Sequence, residues 1–133
     1  MPPSIIDETV TMLVIDDENV IRFALQSYFA QRGFQVDVAA EREEAFGLID
    51  ANWYDVVVAD LRLTGTGSNE GLDVIRHARA KDARIAIVLL SAYGSAETHD
   101  AARAAGADVM LQKPKPLPFV AGAVLELLSA KRS

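Results

Sequence analysis

The chain has 133 residues, half of them apolar, and its 19 acidic and 13 basic side chains leave a formal charge of -6. That is enough chain for one compact domain with a sizeable core, and the absence of cysteine excludes disulfides and thiolate zinc sites. An acidic balance of this kind argues against direct binding of nucleic acid, which needs a basic face, and against an anionic membrane surface. No apolar run approaches the length of a membrane span, and the N-terminus carries Asp7 and Glu8 in place of the basic region of a signal peptide. A soluble, cytoplasmic protein is expected.

Residues 1–10 read as a lead-in, with Pro2 and Pro3 opposing early structure. Residues 11–15 (TMLVI) form a short apolar run that stops at Asp16-Asp17-Glu18, the pattern of a buried strand. Residues 19–32 then take helical spacing, with Ile21, Leu25 and Phe29 on one face and Gly33 placed to end the helix. A second strand is expected over 34–40. A second helix follows over 41–52, with Ala45, Leu48 and Ile49 inward and acids in its first turn. Trp53 and Tyr54 follow it as expected packing residues.

Residues 56–59 (VVVA) form the third strand candidate, too apolar for a surface segment, and the run ends on Asp60. The next segment, LRLTGTGSNEG, is glycine-rich but lacks the Lys-Ser/Thr of a P-loop, so a loop and not a nucleotide site is expected. A helix over 71–81 turns Leu72, Ile75 and Ala78 inward. A strand over 85–90 is followed by Ser91, and a helix over 95–105 is stopped by Gly106. A strand over 107–111 leads to Lys113 and Pro114, and a last helix spans 119–130. His77 and His99 fall on helices, away from any ligand spacing. The expected division is a lead-in over 1–10, one domain over 11–130 and a tail over 131–133.

Five βα units in succession predict an α/β fold. The strands form a doubly wound parallel sheet, (βα)5, with helices on both faces. In such a sheet ligands bind beyond the carboxyl ends of the strands, where the strand order reverses. With order 2-1-3-4-5, flavodoxin-like, Asp16, Asp17 and Asp60 converge there, flanked by Ser91 and Lys113. Three adjacent carboxylates repel one another. A hard divalent cation relieves this, and oxygen donors without His or Cys suit Mg2+. A metal, an ammonium and a hydroxyl suit the three oxygens of a phosphoryl group, leaving Asp60 as a nucleophile able to form an aspartyl phosphate. Taken singly, each of these residues has a plainer reading: Asp16 or Asp17 as a helix cap, Asp60 as a loop acid, Ser91 as a turn residue, Lys113 as a solvated lysine.

The acidic pair in VIDDE, the aspartate ending VVVAD, the hydroxyl in LLSAYGS and the lysine in LQKPKP stand at four successive strand ends. In that order the chain resembles the receiver domain of bacterial two-component response regulators over about residues 11–130. The resemblance implies that Asp60 accepts a phosphoryl group from the phosphohistidine of a sensor histidine kinase or a histidine phosphotransfer protein. It implies Mg2+ held by Asp16, Asp17 and the backbone carbonyl of Arg62, with the Asp60 carboxylate sharing the site. Lys113 then contacts a phosphoryl oxygen, and Ser91 moves onto the phosphoryl group and couples it to the surface. A cis Lys113-Pro114 peptide is implied as well.

Three departures from the family pattern stand out. The loop after Asp60 has Thr64 where a proline is usual and runs about three residues long. Met110 occupies the place of an aromatic ring that turns inward on activation, although Tyr93 offers another element for a readout. No output domain follows the last helix, so the chain is either a single-domain regulator acting by protein contact or a piece of a longer one. Arg22 with the face around Val20, Ala24 and Ser27 is either a docking surface for a kinase helix or ordinary helix exterior. Two other functions compete. One is a receiver-like docking domain that is never phosphorylated. The other is a phosphohydrolase resembling the haloacid dehalogenases, for which Asp60-x-Arg62-x-Thr64 lacks the second aspartate that would serve as general acid.

Overall fold

A computed structural model describes residues 9–61, 70–92 and 95–132. The expectations placed on the lead-in over 1–8, on Arg62, on Thr64 and the loop over 62–69, and on Tyr93 lie outside the described residues. The elements alternate along the chain: β1 (Thr11–Ile15), α1 (Asn19–Ala30), β2 (Gln35–Ala39), α2 (Arg42–Ala51), β3 (Val56–Asp60), α3 (Glu70–Lys81), β4 (Ala86–Ser91), α4 (Ala96–Ala105), β5 (Val109–Gln112) and α5 (Leu117–Arg132). The strands pair in parallel in the order β2-β1-β3-β4-β5, as the sequence predicts.

The three central strands are apolar at nearly every position because both of their faces are covered. Side chains alternate across the pleat, so Leu13, Ile15, Val57, Ala59, Ile87 and Leu89 enter one core with residues of α2, α3 and α4. Met12, Val14, Val56, Val58, Val88 and Leu90 enter the other with α1 and α5. Phe29 of α1 is fully buried in that second core, its ring edge-on to Phe34 with centroids 5.1 Å apart. Burying a ring of this size contributes about 1.5–3 kcal/mol. Ile21 is only partly buried beside it.

Element ends differ from the sequence reading for identifiable reasons. Helix α1 stops at Ala30 because the chain turns through Gly33, at φ +90°, whose N–H is bonded to the Ala30 carbonyl. Strand β5 begins at Val109, two residues late. Ala107 donates to the Ala102 carbonyl in the turn that ends α4, and Gly106 adopts φ +115° there. The Arg79 guanidinium locks this turn by donating to the carbonyls of Gly106, Ala83 and Ile85 and to the Asp108 carboxylate. Trp53, expected to pack, is 65% exposed. Lys81, which holds the Ile49 and Asn52 carbonyls at the end of α2, lies 4.4 Å over its ring. Tyr54 does pack, with its hydroxyl 2.6 Å from Asp37.

The start of α3 is pressed against the end of β3. Gly71 donates to the Leu61 carbonyl at 2.9 Å, and a Cβ built on Gly71 would stand 2.1 Å from the Asp60 carbonyl oxygen and 2.8 Å from Leu61 Cα. Neither atom belongs to a flexible side chain, so the backbone must give way. Gly71→Ala is expected to lower the unfolding free energy by about 1–3 kcal/mol, read from urea denaturation. A variant as stable as the parent would show that the two segments separate freely.

Candidate functional site

Register decides what meets at the carboxyl edge. Ile15 pairs with Ala39 on one side and Ala59 on the other, so Asp16 and Asp60 leave the central strands side by side. Asp60 pairs with Leu90, and Ser91 with Gln112, which brings Ser91 and Lys113 in from the other side. Asp60 and Ser91 are the last residues of their strands and not the first of their loops. Three polar side chains at this edge are buried: Asp16 at 1% exposure, Asp60 at 8% and Ser91 at 1%.

Asp16 is bonded at every polar atom. Its N–H donates to the Ala39 carbonyl at 3.1 Å. Its Oδ1 accepts from the Glu18 N–H at 2.9 Å, its Oδ2 from Lys113 Nζ at 3.3 Å, and its carbonyl from Arg22 Nη1 at 2.7 Å. The Lys113 ammonium also stands 3.3 Å from Asp60 Oδ1, and the Lys113 N–H donates to the Ser91 carbonyl at 2.6 Å. The Lys113-Pro114 peptide is cis.

Burial pushes the Asp60 carboxyl up to about 6; Lys113 pulls it down, and the Asp16 and Asp17 charges raise it further. For Lys113, burial alone would lower the ammonium, but Asp60 and Asp16 outweigh it and the net shift is upward. The two shifts describe one arrangement, a proton-holding lysine between two carboxylates in a dry setting.

Among the described residues one trio of carboxylates has oxygens within 4.8 Å of one another: Asp16, Asp17 and Glu18. Asp17 and Glu18 are exposed and Asp16 is not. This all-oxygen set at the carboxyl edge of the sheet fits a hard divalent cation that keeps part of its water. Asp60 lies outside the trio and shares Lys113 with Asp16. Glu18 has no role in the sequence reading, which names only the acidic pair.

Arg22, read in the sequence only as docking surface or helix exterior, turns inward to the site. It is half-buried and reaches back to the Asp16 carbonyl while its other nitrogen holds Asn19 Oδ1. The four-residue step from Glu18 to Arg22 is a signal for such a return contact, but it does not say which atom the guanidinium meets. Met110 sits half-buried against the core on the α2–α4 side.

Beside the site, Val20, Ile21, Ala24, Lys113, Pro114 and Leu117 line an open groove between α1 and the β5–α5 turn. Val20 is 79% exposed on it. No helix among the described residues is long and apolar enough to cross a membrane.

A family model described as the response regulator receiver domain matches residues 12–121. The two-component response regulator PhoP of Pseudomonas aeruginosa is 34% identical over 103 residues, 77% of this chain and 44% of its own length. The chain thus spans less than half of that relative. Sporulation initiation phosphotransferase F of Bacillus subtilis is 25% identical over 120 residues, covering 90% of this chain and 94% of that protein. Among solved structures, a response regulator from Burkholderia pseudomallei with a phosphorylated aspartic acid, a calcium ion and citrate superposes with a TM-score of 0.80 at 30% identity, covering 92% of this chain and 71% of that one. A CheY-like receiver domain protein from Methanospirillum hungatei reaches 0.86 at 20% identity over 94% and 98% of the two chains, a likeness of fold alone.

Proposed function

The chain belongs to the response regulator receiver family, and from that premise we propose that it accepts a phosphoryl group on Asp60 from the phosphohistidine of a sensor kinase or a histidine phosphotransfer protein. The observation that carries the reading is the buried Asp60 carboxyl, pushed up to about 6, with the Lys113 ammonium 3.3 Å away. Near neutral pH a carboxyl of that kind is mostly ionised and poorly solvated, which suits a nucleophile, and the adjacent ammonium offsets the negative charge that a phosphoryl group adds.

In the transfer an Asp60 oxygen forms the new O–P bond as the N–P bond to the donor imidazole breaks, and the departing imidazole keeps the electron pair. Lys113 contacts a phosphoryl oxygen and stabilises the charge that gathers there. Ser91 donates its hydroxyl to another, and its movement carries the change into the sheet and to a protein partner or output domain. Asp16 and Asp17 would hold the magnesium, with the Asp60 carboxylate and, by the family resemblance, the Arg62 carbonyl as further ligands. When bound, the metal supplies positive charge for the phosphoryl oxygens. The receiver unit is read as residues 11–130, and the setting as the cytoplasm.

The groove beside Lys113 is the proposed seat of the donor. A helix laid along Val20, Ala24 and Ser27 of α1 would lie beside Lys113, and the apolar lining with Val20 exposed gives it a surface to bury.

The test is incubation of the purified chain with acetyl phosphate, with magnesium or with EDTA, followed by intact-mass measurement. Addition of one phosphoryl group in magnesium alone is the expected result. No magnesium-dependent addition, together with no response to beryllofluoride, would leave a docking domain; sustained hydrolysis of phosphate esters would favour a hydrolase.

A further inference from the structure

We propose that Arg22 is a positioning residue for the acidic turn, holding Asp17 in the geometry in which it and Asp16 present oxygens to a divalent cation. The inference rests on the reading of Asp16 and Asp17 as metal ligands and names the residue that sets their arrangement.

The turn from β1 to α1 is three residues long, Asp16, Asp17 and Glu18, between Ile15 and Asn19. All three are acids, Asp17 and Glu18 exposed and Asp16 buried. Their mutual repulsion favours an open turn over a convergent one. The Arg22 fork spans the turn, with one nitrogen on the Asp16 carbonyl at 2.7 Å and the other on Asn19 Oδ1. The first residue of the turn and the first residue of α1 are therefore tied to the same rigid planar group. The Arg22 N–H adds a bond to the Glu18 carbonyl at 2.9 Å, so Glu18 is held from the helix as well. Of the four bonds that fix Asp16, the one from Arg22 is the shortest.

Clamp and charge make opposite predictions. A guanidinium beside a metal site repels the cation, so if only its charge matters, removing it tightens binding. If the clamp matters, removing it loosens the turn and weakens binding. Lysine separates the two, because it keeps the charge but presents a point donor and not a fork.

Magnesium affinity is measured calorimetrically on the unphosphorylated chain for the parent, Arg22→Ala, Arg22→Lys and Asn19→Ala, with the melting temperature of each recorded without metal. The expected result is an affinity weaker by about tenfold in both Arg22 variants, the usual consequence of losing a group that orients metal ligands, and a smaller loss in Asn19→Ala. Acetyl phosphate labelling of the Arg22 variants should need more magnesium for half its maximal rate while reaching the parental maximum. Parental or tighter affinity in Arg22→Ala or in Arg22→Lys overturns the inference while the metal reading stands. A parent chain that binds no magnesium overturns the metal reading and this inference with it. Should Arg22→Ala fail to fold, the lysine and Asn19 variants decide the matter.

Discussion

Asp60→Asn should abolish magnesium-dependent labelling and, in metal-free buffer near pH 8, make the chain more stable by about 1–3 kcal/mol. The first effect follows from chemistry: a carboxamide has no charged oxygen to attack phosphorus. The second follows from burial, which raises the Asp60 carboxyl from its ordinary 3.8 to about 6. An acid raised on folding binds more protons in the folded state, so stability falls as pH rises across the interval between the two values. The cost is absent below about pH 4, accumulates from about 4 to 6 and is constant above.

Two pKa units correspond to about 3 kcal/mol, and the gain should fall short of that because Lys113 loses a counter-charge in the variant. Denaturation curves of both proteins near pH 4 and pH 8 test the point. The two should differ only at the higher pH. A difference that does not change with pH would remove the electrostatic account, and label persisting in the variant would move the acceptor to another acid.

How much of this is visible in the sequence depends on what kind of force fixes each feature. β1, β3 and β4 are legible because strands covered on both faces must be apolar along their whole length, and Leu13, Val57 and Ile87 have no other reason to recur at that density. Convergence of Asp16, Asp60, Ser91 and Lys113 is legible because parallel strands put all their carboxyl ends on one edge. Boundaries are less so. Sheet hydrogen bonding continues through Asp60 and Ser91, whose side chains suggest loop, while Ala107 and Asp108, which suggest strand, are taken by the helix turn and by Arg79.

Trp53 misleads because a large aromatic is usually buried, yet here it follows the exposed end of α2 and is faced by Lys81. Arg22 reads as surface because a long side chain can fold back several ångströms, and no pattern of hydrophobicity records where its tip goes. The trio of Asp16, Asp17 and Glu18 likewise depends on the shape of a three-residue turn, which composition does not encode.

Lys113→Met should slow phosphoryl acquisition from acetyl phosphate by about 10²–10³-fold, the range for removing one preorganised stabilising donor, and should also change how stability depends on pH. Lys113 is 19% exposed and 3.3 Å from both Asp16 Oδ2 and Asp60 Oδ1. Its attraction to those carboxylates exceeds the cost of its burial, so it stays charged. The same attraction holds the Asp60 carboxyl down against desolvation.

Without the ammonium, Asp60 shifts above about 6, and the pH interval over which stability declines extends upward. The two buried acids then face each other unscreened, and a loss on the order of 2 kcal/mol is expected near pH 8, below the full cost of stranding a wholly buried charge. The double variant Asp60→Asn, Lys113→Met isolates the pair, because with position 60 neutral only Asp16 remains for the lysine to serve. The stability cost of Lys113→Met should therefore be smaller when Asp60→Asn is already in place, with a coupling of about 1 kcal/mol or more between the two sites. Additive effects would mean that the 3.3 Å contact with Asp60 carries little energy, and an unchanged labelling rate in the single variant would take Lys113 out of the phosphoryl site.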